Sequence, residues 1–167
     1  MADKKEGEDM EKIKEKIENS IEDYPKFDMQ FDDDRGVGKG NFDLTVGKIF
    51  RITGKGKMDF SDNEREIADT EEVEPEKENE EDKYGWWSLP AGVYRIEVNE
   101  KISLPENWAG RIYSRASLLK NGAFVVPCYL QRGFDSDKGG KGFTLVVQNP
   151  KGIDIKENAR ILGLIFE

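Results

Sequence analysis

The sequence contains no histidine, and its one cysteine is Cys128. Without histidine the chain cannot form a Ser-His-Asp triad, a Cys-His nucleophile pair or a zinc site with a histidine ligand. A zinc-type cytidine deaminase is excluded as well, because His and Cys side chains hold the metal of such enzymes. Catalysis by this chain would have to use carboxylates, Lys, Arg, hydroxyl groups or a metal ion that arrives on substrate phosphates.

Positive charge and long apolar runs are also scarce. The chain has 35 Asp and Glu against 26 Lys and Arg, a formal net charge of -9. That sign argues against general binding to nucleic acid, although a local basic pocket can still hold one triphosphate. The N-terminus, MADKKEGEDMEK, has no apolar stretch that could serve as a signal peptide or span a bilayer, and one cysteine cannot form an intrachain disulfide. We therefore expect a cytoplasmic protein that binds neither membranes nor nucleic acid.

The 167 residues have the length of a single domain. We predict that this domain covers residues 10–167 and follows a charged, disordered tail at residues 1–9. In residues 10–23 the apolar side chains recur at helical spacing, and Pro25 ends the predicted helix. The members of this stripe are Met10, Ile13, Ile17 and Ile21.

From residue 42 onward the pattern changes to that of strands. Phe42, Leu44 and Val46 alternate with other residues, and Gly47 predicts a kink before Ile49. Residues 61–83 include twelve acidic and three basic side chains, which predicts a polar, acidic excursion exposed to solvent. Short apolar runs bounded by Gly, Pro or Asn follow to the end. This succession, with no second helical pattern, predicts an all-β barrel or sandwich.

Basic and hydroxyl side chains gather between Gly110 and Asn121, where an apolar strand gives way to two leucines. Guanidinium and hydroxyl groups beside backbone N–H groups suit a triphosphate, because each phosphate oxygen accepts charge-assisted hydrogen bonds. On composition alone, a surface strand whose arginines pair with the excess carboxylates is the simpler interpretation. The side chains in question are Arg111, Ser114, Arg115, Ser117 and Lys120.

The same stretch resembles a known family. SRASLLKNG at residues 114–122 resembles the R-S-S-L-x-R-x-G motif of dCTP deaminases and the R-S-G-L motif of trimeric dUTPases. GNFDLTVGKIFRI (40–52) is similar to the family's S-x-D-L-R-L-G, and residues 89–112 are similar to its L-x-P-G-E-F-x-L and L-P-x-x-x-x-G-R segments. PCYLQRGF (127–134) resembles A-G-W-I-D-P-G-F, and FTLVVQN (143–149) resembles I-T-L-E-L-F-N. Five such blocks in order identify the chain as a member of the dUTPase and dCTP deaminase superfamily, closest to its archaeal-type branch.

The resemblance implies a distorted, jelly-roll-like dUTPase barrel with one N-terminal helix, assembled as a homotrimer with its sites at the subunit interfaces. It implies that the ligand is a deoxynucleoside triphosphate that carries Mg²⁺ on its phosphates. One subunit would bind the phosphates through Arg115, Ser117 and Lys120. The neighbouring subunit would hold the nucleoside in a hairpin whose residues are Tyr129, Gln131 and Phe134.

Two positions differ from the family where its chemistry takes place. The hairpin aspartate of the family corresponds to Gln131, which cannot accept a proton as a base. A shifted alignment gives that catalytic role to Asp135 or Asp137, because GFDSDKGG resembles the dUTPase pattern I-D-S-D-Y. The glutamate that deaminases place in I-T-L-E is Val146 here, so we do not expect deamination.

Further differences concern the phosphate motif and the last strand. Ala116 replaces a serine, and Lys120 replaces an arginine while lacking its planar fork. Gly163 stands where the family usually has a glutamine. The sequence ends at Glu167, directly after the last predicted strand, so we expect no C-terminal lid over the triphosphate.

These features leave three hypotheses. The first is a dUTP diphosphatase that uses Mg²⁺ to convert dUTP to dUMP and pyrophosphate, with Asp135 or Asp137 as the catalytic carboxylate. The second is a catalytically degenerate trimeric homologue that acts as a binding or scaffold protein. The third, dCTP deamination, ranks last because of Val146.

Overall fold

The computed structural model describes residues 40–140 and 142–166. The tail predicted at residues 1–9 and the helix predicted at residues 10–23 lie outside the described residues. Within the described ranges the chain forms strands and two short helices. These are β1 (Gly40–Ile52), β2 (Thr70–Glu72), β3 (Trp86–Leu89), β4 (Gly92–Val98), β5 (Gly110–Ser114), α1 (Ala116–Lys120), β6 (Ala123–Val125), β7 (Cys128–Leu130), α2 (Ser136–Gly139), β8 (Gly142–Val147), β9 (Ile153–Lys156) and β10 (Arg160–Phe166).

One curled antiparallel sheet holds most of the strands. Its order is β6-β8-β4-β1-β10-β5-β7, β2 adds to β1, and β3 pairs separately with β9. The edge strands β6 and β7 are consecutive in the chain, with only Val126 and Pro127 between them. Three Cα–Cα steps span at most about 11 Å, so the sheet has to curl until its two edges are neighbours. The fold is therefore an all-β half-barrel, which confirms the predicted fold class.

The long strand β1 changes its buried face at Gly47. Phe42, Leu44 and Val46 are buried before this point and Ile49 is buried after it. The register with β4 shifts between Val46 and Lys48, which makes the kink predicted at Gly47 a β-bulge. A Cβ atom on Gly47 would collide with the side-chain amide of Asn99, so a larger residue at this position would have to displace Asn99.

The hydrophobic core lies on the concave side of the sheet. Burying one Leu, Ile or Phe side chain contributes about 1.5–3 kcal/mol, and most strands supply several such residues. The largest fully buried side chains are Phe42, Leu44, Ile49, Leu89, Ile96, Ile102, Ile112, Leu145, Leu162, Leu164 and Phe166.

The acidic excursion at residues 61–83 is mostly exposed but pairs with the body of the fold. β2 lies within it and pairs with β1, with Glu72 opposite Phe50. Nε1 of Trp87 donates a hydrogen bond of 2.7 Å to the carbonyl of Val73. β2 was not predicted from the sequence, because all three of its residues are exposed and no apolar alternation marks it.

The helices α1 and α2 were also not predicted. They have five and four residues, too few for a 3.6-residue periodicity to appear. The run GRIYSRASLL reads as one strand in the sequence, but β5 ends at Ser114 and α1 begins at Ala116. In the part of the chain that is described, no helix is long and apolar enough to cross a bilayer.

Candidate functional site

Asp43 is a buried carboxylate on the side of the sheet opposite the core. It lies between Phe42 and Leu44 on β1, and successive side chains of a strand point to opposite faces. Its partner on β10 is Gly163, whose partner on β5 is Tyr113. Asp43, Gly163 and Tyr113 therefore form a row across three strands, and Asp43 is only 4% exposed.

Two arginines converge on Asp43. Leu44 pairs with Leu162, but the next residue of β1, Thr45, pairs with Arg160, so β10 contains one extra residue at this point. Such a bulge re-aims a side chain, and here it brings Arg160 to the Asp43 face. Nη1 of Arg160 and Nε of Arg115 each lie 3.5 Å from Oδ2 of Asp43.

Arg115 joins β5 to α1. Its backbone N–H donates to the carbonyl of Ile161 at 3.0 Å, and its own carbonyl accepts from the N–H of Leu118 at 3.1 Å. Its Nη1 donates to the carbonyl of Arg160 at 3.3 Å. These contacts fix the guanidinium against the beginning of β10, where it is partly exposed.

The other predicted phosphate-binding residues lie on α1. Ser117 and Lys120 are both exposed and are three residues apart, so they share a side of the helical turn. Arg115, Ser117 and Lys120 thus lie together on one short segment. Their role in phosphate binding stays a prediction.

A cleft of about 240 Å³ opens beside α1. Ser117 and Asn121 line one wall, and Arg160 lines it from β10. Lys156 and Asp154 of β9 contribute one charge of each sign to the opposite wall. The cleft therefore presents a hydroxyl, an amide, two cationic groups and one carboxylate among apolar side chains. The hydroxyl, amide and cationic groups are donors that suit a phosphate.

The predicted nucleoside hairpin follows β7. Phe134 N–H donates to the carbonyl of Gln131 at 3.0 Å, and Gly133 within this turn has φ +69. Gln131 is exposed, Tyr129 is 60% exposed, and Phe134 is half-buried against the core. The turn can thus present an amide and an aromatic ring to a ligand.

The two predicted catalytic carboxylates begin α2. Asp135 caps this helix, since its Oδ1 accepts from the N–H of Asp137 at 2.9 Å. Asp137 forms an ion pair with Lys101, and the hydrogen bond from Lys101 to Asp137, with the charge of that carboxylate, raises the pKa of Lys101. Ser136 is buried and exchanges two hydrogen bonds with the backbone of Ile102. These contacts hold both carboxylates beside the hairpin.

The phosphate segment and the hairpin lie at opposite ends of β5. β7 runs antiparallel to β5, with Leu130 opposite Gly110, so the chain beyond β7 continues away from Arg115. Five residue steps of extended chain, from Gly110 to Arg115, separate the two levels, a distance of roughly 17 Å. One chain does not bring Arg115 within hydrogen-bonding distance of Asp135 or Asp137.

The structure shows what surrounds two of the positions that differ from the family's motifs, residues 146 and 163. Val146 is half-buried in the sheet, paired with Val93 and Phe124. A Cβ atom on Gly163 would lie within 3.0 Å of the ring and hydroxyl of Tyr113. Tyr113 thus fills the space that a side chain at position 163 would enter.

Asp43 and Arg160 were not predicted as site residues from the sequence. A carboxylate inside the alternating apolar segment 42–46 was a usable signal, because a buried Asp needs charged or hydrogen-bonding partners. Arg160 offered no such signal, because its position depends on the bulge. The role of Ser114 was also missed: its Oγ accepts from the N–H of Val125 at 2.8 Å and donates to the same residue's carbonyl at 3.1 Å.

Comparison with known proteins gives consistent matches. A family model described as dCTP deaminase-like matches residues 10–167. An Archaeoglobus fulgidus protein named probable deoxyuridine 5'-triphosphate nucleotidohydrolase is 31% identical over 160 residues, which cover 96% of this chain and 84% of that protein. The deoxyuridine 5'-triphosphate nucleotidohydrolase of Methanocaldococcus jannaschii is 36% identical over 124 residues, covering 74% and 73%.

Solved structures include proteins of similar fold. The 2'-deoxycytidine 5'-triphosphate deaminase of Agrobacterium tumefaciens superposes with a TM-score of 0.50 at 13% sequence identity. The match covers 83% of this chain and 42% of that longer chain. At this identity the likeness concerns the fold alone.

Proposed function

The chain belongs to the dCTP deaminase-like family. We propose that it is a dUTP diphosphatase, which converts dUTP to dUMP and pyrophosphate. The observation that carries the proposal is the match to archaeal relatives named deoxyuridine 5'-triphosphate nucleotidohydrolase. The match to the Archaeoglobus fulgidus protein covers 96% of this chain, so it includes both the α1 segment and the hairpin.

The α1 segment would bind the phosphates. The guanidinium of Arg115 is held by Asp43 and by the carbonyl of Arg160, so it is ordered before a ligand arrives. Such preorganisation lowers the entropic cost of binding. Ser117 would add a hydroxyl and Lys120 a positive charge on the same side of α1.

Assembly as a homotrimer would complete the site. Hydrolysis between the α and β phosphates needs a carboxylate within hydrogen-bonding reach of the attacking water. Asp135 and Asp137 lie at the far end of β5 from Arg115 in the same chain. A neighbouring subunit can supply the hairpin and its carboxylates to the phosphates that Arg115 holds, which supports a site shared between copies of the chain.

Asp135 or Asp137 would accept the proton of the attacking water. Mg²⁺ would enter on the triphosphate, since Mg²⁺ keeps several waters and is usually held by one or two carboxylates plus phosphate oxygens. The oxygen donors of Asp135 and Asp137 fit that mode. When bound, the ion would neutralise phosphate charge. A cytoplasmic location is part of the proposal, because a chain with the single cysteine Cys128 suits a reducing compartment.

A degenerate homologue that binds nucleotide without turnover is the second candidate. It is favoured by Gln131, an exposed amide at the position where the resemblance implies a carboxylate. Deamination of dCTP remains the weakest candidate, since Val146 and its neighbours Val93 and Phe124 are apolar.

Pyrophosphate release decides between the first two candidates. We expect the full-length protein to release pyrophosphate from dUTP in the presence of MgCl₂, with EDTA stopping the reaction. Arg115→Ala should lower kcat/KM by about 10- to 100-fold, the effect of losing a charged hydrogen bond. The control Arg65→Ala, an exposed residue paired with Asp62, should leave it unchanged.

Replacing each carboxylate by its amide shows which of the two acts as the base. Asp135→Asn and Asp137→Asn should differ, and the one that removes the base should lower kcat by at least about 100-fold. Absence of pyrophosphate above a buffer blank, combined with binding of a non-hydrolysable dUTP analogue, would establish the degenerate homologue instead. Formation of dUTP from dCTP would move deamination to first place.

A further inference from the structure

Residues 53–69, which connect β1 to β2, form a hairpin arm that is exposed to solvent. Lys57 and Glu66 pair across the arm through backbone hydrogen bonds of 2.8 and 2.9 Å. The carboxylate of Asp59 accepts hydrogen bonds from the N–H and the hydroxyl of Ser61, at 3.1 and 2.6 Å, and so holds the turn at the tip. None of the residues 53–69 is buried, so hydrogen bonds within the arm order it, and packing does not.

The arm has one charged face and one apolar face. Lys57 and Glu66 lie opposite each other, so their side chains are on the same side of the arm. Met58 and Ile67 are the next residues of the two strands and therefore share the other side, and Phe60 follows at the tip. Met58, Phe60 and Ile67 are 75%, 104% and 71% exposed, so the described part of the chain does not cover them. We call these three side chains the apolar arm face.

A second exposed apolar surface lies on the convex side of the sheet. Continuing the register of β1 with β4 places Ile52 opposite Val93. Val93 pairs with Val146 on β8, and Val146 pairs with Phe124 on β6. Ile52 and Val93 are 41% and 48% exposed, and the other two are half-buried. These four side chains form a row across four strands, which we call the convex row.

The arm face and the convex row contain most of the exposed large apolar side chains of the described residues. The others are Val126 beside β6 and, at the candidate site, Leu119 and Tyr129. Contiguous exposed apolar surface marks a site of protein contact, and Phe and Met are enriched in the buried centres of such contacts. A two-stranded hairpin with an apolar face also gains stability when that face packs on another surface.

Charge favours a second copy of the chain as the occupant of both surfaces. The net charge of -9 makes two copies repel except where one of them presents unpaired positive charge. Arg95 does so beside the convex row: it is exposed on the same side of β4 as Val93, and it forms no ion pair or side-chain hydrogen bond with the described residues. The arm has the complementary sign, with five acidic and three basic side chains in residues 53–69.

We propose that the arm of one subunit docks on the convex row of a neighbouring subunit. The proposal rests on the proposed function in so far as that function requires a neighbouring copy, and it identifies where two copies touch. Every copy has both an arm and a row, so the contact is head to tail, and it closes into a ring when the rotation between copies allows.

Subunit association, measured by analytical ultracentrifugation of the full-length protein over a range of concentrations, tests the role of the arm. Phe60→Glu should raise the Kd of association at least about 10-fold, because a charge would enter an apolar contact. Lys57→Gln is the matched control, since it changes the net charge by the same amount on the other face of the arm. It should leave the Kd within about twofold, because the exposed ion pair of Lys57 with Glu64 contributes little.

A second substitution tests whether the convex row receives the arm. Val93→Lys alone should raise the Kd at least about 10-fold, and Phe60→Glu combined with Val93→Lys should associate at least about fivefold more tightly than either single variant, because opposite charges then meet across the contact. If the arm docks elsewhere, the combined variant will associate more weakly than either single one. Both side chains are exposed, and melting curves check that each variant folds.

Cysteine crosslinking provides a measurement that does not depend on weakening the contact. In a Cys128→Ser background, a chain with both Phe60→Cys and Val93→Cys should form covalent oligomers with a short bismaleimide. Either cysteine alone should not. Covalent oligomers absent from the chain with both cysteines would contradict the proposed contact.

The outcomes separate this inference from the proposed function. Association that depends on Phe60 and Val93, without pyrophosphate release from dUTP, would leave the inference standing and overturn the function. Hydrolysis of dUTP by a protein whose association does not change with Phe60→Glu and Val93→Lys would overturn the inference alone. A wild-type protein that stays monomeric and releases no pyrophosphate would overturn both.

Discussion

Replacing Gly163 by alanine should destabilise the protein through its contact with Tyr113. A Cβ atom at position 163 would lie within 3.0 Å of the Tyr113 ring, whereas ordinary contact begins at 3.4 Å. The two residues are paired across β10 and β5, so the backbone cannot easily separate them. The ring would have to move by roughly 1 Å or adopt a strained rotamer.

The expected cost is about 2 kcal/mol. Overpacking of this kind costs about 1–3 kcal/mol, and replacing a strand glycine returns about 0.5 kcal/mol by restricting the unfolded chain. For a chain of this size a loss of 2 kcal/mol lowers Tm by about 4–8 °C. Gly92→Ala is the matched control, because a Cβ atom there makes only ordinary contacts from 3.6 Å outward, and it should change stability by less than about 0.5 kcal/mol.

Urea unfolding of four proteins at one protein concentration measures the effect: wild type, Gly163→Ala, Tyr113→Ala and the double variant. Removing the ring should make the Gly163→Ala change nearly neutral, which corresponds to a coupling energy of about 2 kcal/mol. A fixed concentration is needed because assembly adds to apparent stability. If Gly163→Ala costs the same with and without the Tyr113 ring, the steric explanation is wrong.

Two further predictions concern Glu100, which is buried, and Cys128, which is half-buried. Glu100→Ala should cost about 2–5 kcal/mol in urea unfolding, because Glu100 is 0% exposed and its loss leaves the N–H and hydroxyl of Thr45 without the acceptor they have in the fold. The exposed control Glu80→Ala should be neutral, and a loss under about 1 kcal/mol for Glu100→Ala would contradict this account. Burial raises the pKa of the Cys128 thiol, so at pH 8 the folded protein has less thiolate than the unfolded chain. The folded protein should therefore react more slowly with a disulfide reagent at pH 8, and its reaction rate should rise through pH 9 and above. Equal rates for folded and urea-unfolded protein at pH 8 would refute this prediction.

The strands could be predicted because their signal is local. Alternation along Phe42, Leu44 and Val46 reflects which side chains face the core, and Gly47 marked the bulge at the right residue. Helices α1 and α2 and strand β2 could not be predicted in this way. Each is shorter than the window in which a period becomes visible, and tertiary contacts such as those between Ser136 and Ile102 hold α2 in place.

Only part of the candidate site could be predicted from the sequence. Arg115, Ser117 and Lys120 are neighbours in the chain, so their proximity follows from the sequence itself. Asp43 and Arg160 are 117 positions apart, and they meet because β1 and β10 pair with one bulged residue. A shift of one residue in that pairing would turn Arg160 away from Asp43. The residue pattern of the two strands does not determine the register between them.

The two edge strands of the half-barrel, β6 and β7, follow each other in the chain, and we call the region where they meet the seam. β6 and β7 have three residues each, and the hydroxyl of Ser114 supplies two of the hydrogen bonds that hold β6 beside β5. The chain that forms this seam also contains α1 at its beginning and the hairpin at its end. The segment that brings the two edges of the sheet together therefore also carries both halves of the candidate site, because α1 precedes β6 and the hairpin follows β7.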